Sequence, residues 1–184
     1  RVHGGSGHIN VHFVGDYAKK LFPKGVEVDH TKSFEEGLES TKELILKRVP
    51  IFEAALTYKN CYARADILEP VGRDKWNLIE VKSSTELKDV NYHDIGFQYY
   101  LYTGAGLKIN KCYLMCIDNT YIRKGDIEPD KLFKKIDVTE EVKTTYSKTI
   151  EGNVAAMVKA IAAKTFIEIG IGAHCNDPYD CPLI

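Results

Sequence analysis

The stretch Tyr62–Thr85, YARADILEPVGRDKWNLIEVKSST, decides the fold of this chain. Arg64–Leu68 is a short run with period-2 alternation, and Trp76–Val81 is a second one rich in strand formers. Between them Pro70-Val71-Gly72-Arg73-Asp74 carries turn chemistry, because Pro fixes φ and Gly permits φ > 0. Side chains of a strand alternate faces, so Glu80 and Lys82 should point the same way. Asp66, on the neighbouring strand, is expected to share that face. Unpartnered carboxylates are costly to bury, so such a cluster needs water or a cation.

Working outward, Ile51–Thr57 reads as the strand before this pair, with Lys59-Asn60 able to close a two-residue hairpin. In that register Tyr58 faces Cys61 and Glu53 falls opposite Asp66. Two acids across a ladder repel each other, which makes sense beside a divalent cation; a longer loop removes the argument. Ser33-Phe34-Glu35-Glu36 is a capping box. The helix it starts, with Phe34, Leu38, Thr41 and Leu44 or Ile45 on one stripe, should end near Arg48, ahead of Pro50. An earlier helix is expected over 13–21, stopped by Pro23 and Gly25.

On the other side a helix is predicted over 89–103, ended by Gly104 and Gly106. Asp94, Gln98 and Tyr102 fall at i, i+4 and i+8, a polar stripe that starts soon after Lys82 and so borders the same region. Residues 111–118 read as a strand whose Cys112 and Cys116 are packing thiols. Tyr121–Lys124 is a candidate short strand. Asp137 opens a long helix with Val142, Tyr146, Ile150, Met157 and Ile161 as its apolar side.

The 184 residues, 44% apolar and 28% charged with a net charge of −1, suit one folded domain and exclude disorder. No global basic footprint is present, so any nucleic-acid contact must be local. No apolar run could span a bilayer and no secretory signal is visible, and five cysteines without such a signal point to reduced thiols and a cytoplasmic setting. Arg1 suggests a fragment. Residues 1–12, with Gly4-Gly5-Ser6-Gly7, read as linker or tag-like sequence, 13–168 as the folded domain, and 169–184 as a Cys-containing tail. There are no internal repeats and no Walker-type phosphate loop.

The order helix, strand, strand, strand, helix, strand, with Asp66 followed by Glu80-Val81-Lys82, resembles the PD-(D/E)xK nuclease superfamily. Gln98-Tyr99-Tyr100-Leu101-Tyr102 is similar to the Gln-x-x-x-Tyr signature of its RecB-like branch, which includes the RecB and AddAB nuclease domains and the CRISPR adaptation exonucleases. The run HCNDPYDCP resembles the tail of an uncharacterised bacterial RecB-like group, so the likeness covers roughly 14–182. It implies an α/β (α+β) restriction-endonuclease-like core, a central mixed sheet flanked by helices in the order αβββαβ. It implies Mg²⁺ or Mn²⁺ held by Asp66, Glu80 and the backbone carbonyl of Val81, with Glu53 completing the acidic shell. Lys82 would hold the attacking water or stabilise the transition state, and Gln98 and Tyr102 would orient Lys82 or contact a phosphate. The expected substrate is DNA, cleaved from single-stranded ends.

Two departures qualify the resemblance. Many RecB-like nucleases carry a metal-ligating His on an N-terminal helix, and Gly15–Lys19 contains none. Several relatives hold a [4Fe–4S] cluster with one N-terminal and three C-terminal cysteines, whereas this tail has only Cys175 and Cys181. No four-thiolate cluster is expected from this sequence, and one could be assembled only in an intact protein. His174, Cys175 and Cys181 could hold zinc instead, or belong to an unstructured end. Two other functions remain open at this level: a non-catalytic nucleic-acid-binding module, and a metal-thiolate structural domain.

Overall fold

The computed structural model describes residues 11–165, 168–176 and 180–182. The expected linker at 1–12 lies outside these except for Val11 and His12, which open the first helix. The elements are α1 (Val11–Lys19), β1 (Val26–Glu27), α2 (Phe34–Lys47), β2 (Ile51–Tyr58), β3 (Cys61–Val71), β4 (Lys75–Lys82), α3 (Asp89–Gly104), β5 (Lys108–Ile117), α4 (Pro129–Leu132), β6 (Phe133–Asp137), α5 (Thr139–Glu141), a π-helical turn (Val142–Tyr146) and α6 (Ser147–Ala162). The six strands form one mixed sheet in chain order, with β1 parallel to β2, β4 parallel to β5, and the other neighbours antiparallel. The fold is α+β. The run from α2 to β5 is helix, three strands, helix, strand.

Two apolar layers sandwich the sheet. On one face Ala18 of α1 meets Phe52, Ile67, Ile79 and Met115. On the other, the larger cluster joins Leu44 of α2 and Ile95, Leu101 and Tyr102 of α3 to Ile51, Leu68, Leu78, Cys112 and Leu114. Burial of this apolar surface is the main stabilising contribution, and both strand faces carry it. Cys112 and Cys116 are buried packing thiols as expected, and burial pushes the Cys112 thiol up to about 12.

Local chemistry explains the element ends. The capping box forms, with the Glu36 amide donating to Ser33 Oγ at 3.2 Å and the Ser33 amide to Glu36 Oε2 at 3.0 Å. Arg48 closes α2 in the left-handed region at φ 55°. Its guanidinium lies 4.4 Å from the Trp76 ring centroid and donates to the carbonyls of Val71, Gly72 and Lys75, which latches the β3–β4 turn. β3 therefore runs past Leu68 through Pro70 to Val71, and only Gly72–Asp74 turn, with Gly72 at φ 57°.

Three expectations need correction. Tyr121–Lys124 is not a strand; the edge strand is β6, hydrogen-bonded to β5 from Phe133 to Asp137. The long final helix starts at Thr139, since Asp137 is the last residue of β6, and it is interrupted by the π-turn, which changes the helical phase after Val142. Its buried apolar residues are Val142, Ile150 and Val154; Met157 and Ile161 share the α6 stripe of Ile150 and Val154 but are 62% and 85% exposed, so the stripe is covered only as far as Val154. On α2, Gly37, Thr41 and Leu44 are buried, but Phe34 is 52% exposed.

Tyr102 is wholly buried. Its hydroxyl donates to the Ala54 carbonyl and accepts from the Ala65 amide at 2.9 Å, so one α3 side chain ties β2 to β3. Replacing it with Phe leaves a backbone donor and acceptor unsatisfied, which should cost about 1–3 kcal/mol. At about 2–4 °C per kcal/mol for a domain of this size, thermal unfolding should show Tyr102→Phe melting several degrees lower.

Candidate active site

The β2–β3 hairpin has the two-residue loop, with Lys59 and Asn60 both at positive φ and Tyr58 paired with Cys61. The pairs Phe52–Ile67 and Ala54–Ala65 then leave Glu53 facing Asp66. The ladder itself breaks at that point because Glu53 has φ 55°. A non-glycine residue there is strained by roughly 1–3 kcal/mol and needs support from its surroundings. The support comes from His30, whose Nε2 hydrogen-bonds the Glu53 carbonyl at 2.8 Å, and from Tyr102 on the next residue, Ala54. The Glu53 carboxylate lies 3.8 Å from the Arg64 guanidinium.

β3 and β4 pair from Val71–Lys75 to Ile67–Ile79 and then part. Where the ladder would continue, the Val81 amide donates to Asp66 Oδ2 at 2.6 Å. The half-buried Asp66 thus rests against the amide directly after Glu80. Burial raises its pKa well above the ordinary 3.8, and the charges of Glu80 and then Glu53 push it further; the Val81 amide and Lys82 oppose the shift.

Glu80 is buried on the α3 side. Its Oε2 accepts from Gln98 Nε2 at 2.6 Å and its Oε1 from Lys82 Nζ at 2.8 Å. Lys82 also donates to Asp94 Oδ2 at 2.7 Å. Burial works against the ammonium, but Glu80 and Asp94 outweigh it and hold Lys82 protonated above its usual range. The stripe read from the sequence therefore faces the sheet, each member with a different partner: Asp94 on Lys82, Gln98 on Glu80, Tyr102 on β2 and β3.

Two expectations change here. Glu80, Lys82 and Asp66 do not share one plain sheet face: Glu80 opens on a pocket of about 380 Å³ with Asp94, Gln98 and Asn153, and Asp66 on a cleft of about 930 Å³. The cleft is walled by α1, the segment 27–31, Glu53, Arg64 and Val81. Divergence of β3 from β4 turns Asp66 this way. Tyr102, being buried on backbone groups, can neither contact a phosphate nor orient Lys82, and Gln98 holds Glu80 rather than Lys82. Sequence reasoning left Asp94 out of the site proper, although its place one turn before Gln98 was the available signal. Nothing local marked His30.

Among the described residues no three His, Cys, Asp or Glu side chains converge as a ready-made metal site. In the tail, the Cys181 amide donates to the Cys175 carbonyl at 2.7 Å, and both thiols are free. Residues 177–179 between them lie outside the described residues. No helix among the described residues is long and apolar enough to cross a membrane. No protein-family model matches the chain, and no curated protein sequence matches it.

The raised pKa of Asp66 has a thermodynamic sign. Its ionisation favours the unfolded chain, so the stability linked to its neutral form is full below its unfolded pKa and is lost as pH rises through the folded value. Asp66→Asn removes this penalty. In EDTA near neutral pH the variant should melt higher than the wild type, with the gap closing toward pH 4. Added Mg²⁺ or Mn²⁺ should raise the melting temperature of the wild type only. A lower-melting Asp66→Asn would show that the carboxylate is not a desolvated charge.

Proposed function

We propose that this chain is a divalent-metal-dependent nuclease of the PD-(D/E)xK class, RecB-like in type, that hydrolyses phosphodiester bonds of DNA. One observation carries the reading. A desolvated Asp66 abuts the Val81 amide, and the next residues on either side of that amide's strand position, Glu80 and Lys82, are held as a hydrogen-bonded carboxylate and ammonium by α3. Ion pairing alone does not call for a third, poorly compensated carboxylate beside the pair.

The donor set fits Mg²⁺ or Mn²⁺. Asp66 and Glu80 offer hard oxygens, and the neighbouring Glu53 adds negative charge that a cation would relieve. Asp66 and the Val81 carbonyl would hold it from the cleft, and Glu80, whose oxygens are tied to Lys82 and Gln98 on the other pocket, would join them only by swinging toward Asp66. When bound, such an ion lowers the pKa of its water and neutralises charge on the phosphate. The chain's own residues do the rest. Gln98 fixes the Glu80 carboxylate through Oε2. Asp94 and Glu80 keep Lys82 charged and aimed, so its ammonium can orient a water or steady the oxyanion that develops on phosphorus. The strand break at Glu53 opens Asp66 to the cleft, where a DNA end could enter.

The test uses labelled single- and double-stranded DNA with Mg²⁺, Mn²⁺ or EDTA. Cleavage should require metal. Lys82 only donates and adds no ligand, so Lys82→Ala should keep metal and DNA affinity near the starting value while cleavage falls about 10²–10³-fold. Asp66→Ala should lose metal and cleavage together. Binding of DNA by the wild type without cleavage under any divalent metal would replace the enzyme reading with a binding module.

A further inference from the structure

Leading away from Asp66 along β3, Arg64 and Tyr62 are exposed while Ala63 and Ala65 are buried in the α3-side core. Tyr62, Arg64 and Asp66 therefore lie in a row on the cleft side of the sheet. The Tyr62 ring is 39% exposed and packs against Phe34, itself 52% exposed, with centroids 4.9 Å apart and planes tilted by 50°. Phe34 is the first residue of α2, fixed there by the capping box at Ser33. Two large rings, adjacent and open to water, are held by a strand and a helix N-terminus rather than by a loop. Their burial contributes little to the core, as neither ring belongs to the apolar clusters.

We propose that Phe34 and Tyr62 form a stacking platform for the bases of a single-stranded nucleic acid whose backbone runs past Arg64 toward Asp66. The inference rests on the nuclease reading and names the substrate form and its path. Alternate strand residues lie about 6.6–6.8 Å apart. That is close to the rise of an extended single strand, so one nucleotide step spans Tyr62 to Arg64 and the next spans Arg64 to Asp66. Exposed aromatic faces accept any base, and a guanidinium alongside supplies the phosphate contact. Arg64 lines the cleft, and its only ion-pair partner among the described residues is Glu53, at 3.8 Å, a long contact that a phosphate can replace. The cleft beyond is lined by Asp16, Glu27, Asp29, Glu53 and Asp66, with Lys19 the one lysine, already paired with Glu27 at 2.6 Å and Asp16 at 3.9 Å. A wall with more carboxylates than cations disfavours a backbone lying along it without added cations, and Arg64, with its one long ion pair, is the cation most open to a phosphate. A duplex, with its bases stacked inside, offers no ring for the platform.

The experiment measures binding of a short labelled oligothymidylate and of a duplex in Ca²⁺, and cleavage of both in Mn²⁺. Tyr62→Ala and Phe34→Ala should each weaken oligothymidylate binding about tenfold. KM should rise with kcat little changed, and duplex affinity should hold. Tyr62→Phe keeps the ring and should bind as the wild type. Arg64→Gln should lower the salt dependence of binding by about one phosphate contact. Unchanged oligothymidylate affinity in folded Ala variants, an equal loss for duplex, or a wild type that binds no single strand would overturn the platform. If the wild type cleaves DNA but Tyr62→Ala has an unaltered KM, the platform fails and the nuclease reading stands. If the Tyr62-dependent binding is present and nothing is cleaved, the nuclease reading fails and the platform stands.

Discussion

The Tyr102 hydroxyl is the constraint on which the rest of the site depends. It bonds the Ala54 carbonyl and the Ala65 amide, the residues immediately beside Glu53 and Asp66. A ladder broken by a left-handed Glu53 would otherwise let β2 slide or splay at the place where the acids meet. A buried hydroxyl with both bonds made in a low-dielectric core resists that motion, since losing either leaves a backbone group unsatisfied. The strain at Glu53 is tolerable because β2 and β3 pair in register above and below it.

The same helix face then sets the electrostatics. α3 presents Tyr102, Gln98 and Asp94 one turn apart, and these reach the hairpin backbone, Glu80 and Lys82 in that order. Gln98 donates to Glu80 and leaves its own Oε1 buried without a partner among the described residues. An amide turned the other way would put oxygen against a carboxylate, so the orphaned acceptor is the lesser cost. Gly96 makes the arrangement possible from behind. A Cβ there would come within 2.9 Å of Ile150 and Tyr146, and only glycine lets the C-terminal helical region press α3 onto the sheet.

Much of this was legible in the sequence because it follows from period and local chemistry. The Lys59-Asn60 hairpin gave the register that sets Glu53 against Asp66, and Ser33 with Glu36 marked the start of α2. The i, i+4, i+8 spacing placed Asp94, Gln98 and Tyr102 on one face. What periodicity could not give was the side chains' partners. Alternation assumes a continuous ladder, so it put Asp66 on the face of Glu80, whereas β3 and β4 part after Ile67–Ile79. It also gave no sign of the positive φ at Glu53, because a glutamate is not a residue that marks such a turn. The apolar stripe through Ile150, Met157 and Ile161 is continuous along α6, but periodicity cannot say how far along it a partner reaches, and the burial ends at Val154. β6 was hidden because a five-residue edge strand with Lys134 and Lys135 at its centre lacks a buried alternation.

Charge arithmetic links the site to the energetics of the fold. Around the end of β4 stand Asp66, Glu80, Glu53 and Asp94, against Lys82 and the more distant Arg64. Lys82 is already shared by Glu80 and Asp94, so it cannot also neutralise Asp66, whose sole hydrogen bond among the described residues is to an amide. Replacing Asp66 or Glu53 by an uncharged residue would relieve that repulsion, and glycine at 53 would also spare the chain a strained backbone. A structure selected for stability alone has no use for both the desolvated carboxylate and the left-handed residue opposite it. Their coincidence, braced by His30 on one side and Tyr102 on the other, fits the proposed reading, in which a bound cation would offset the repulsion that the fold leaves standing.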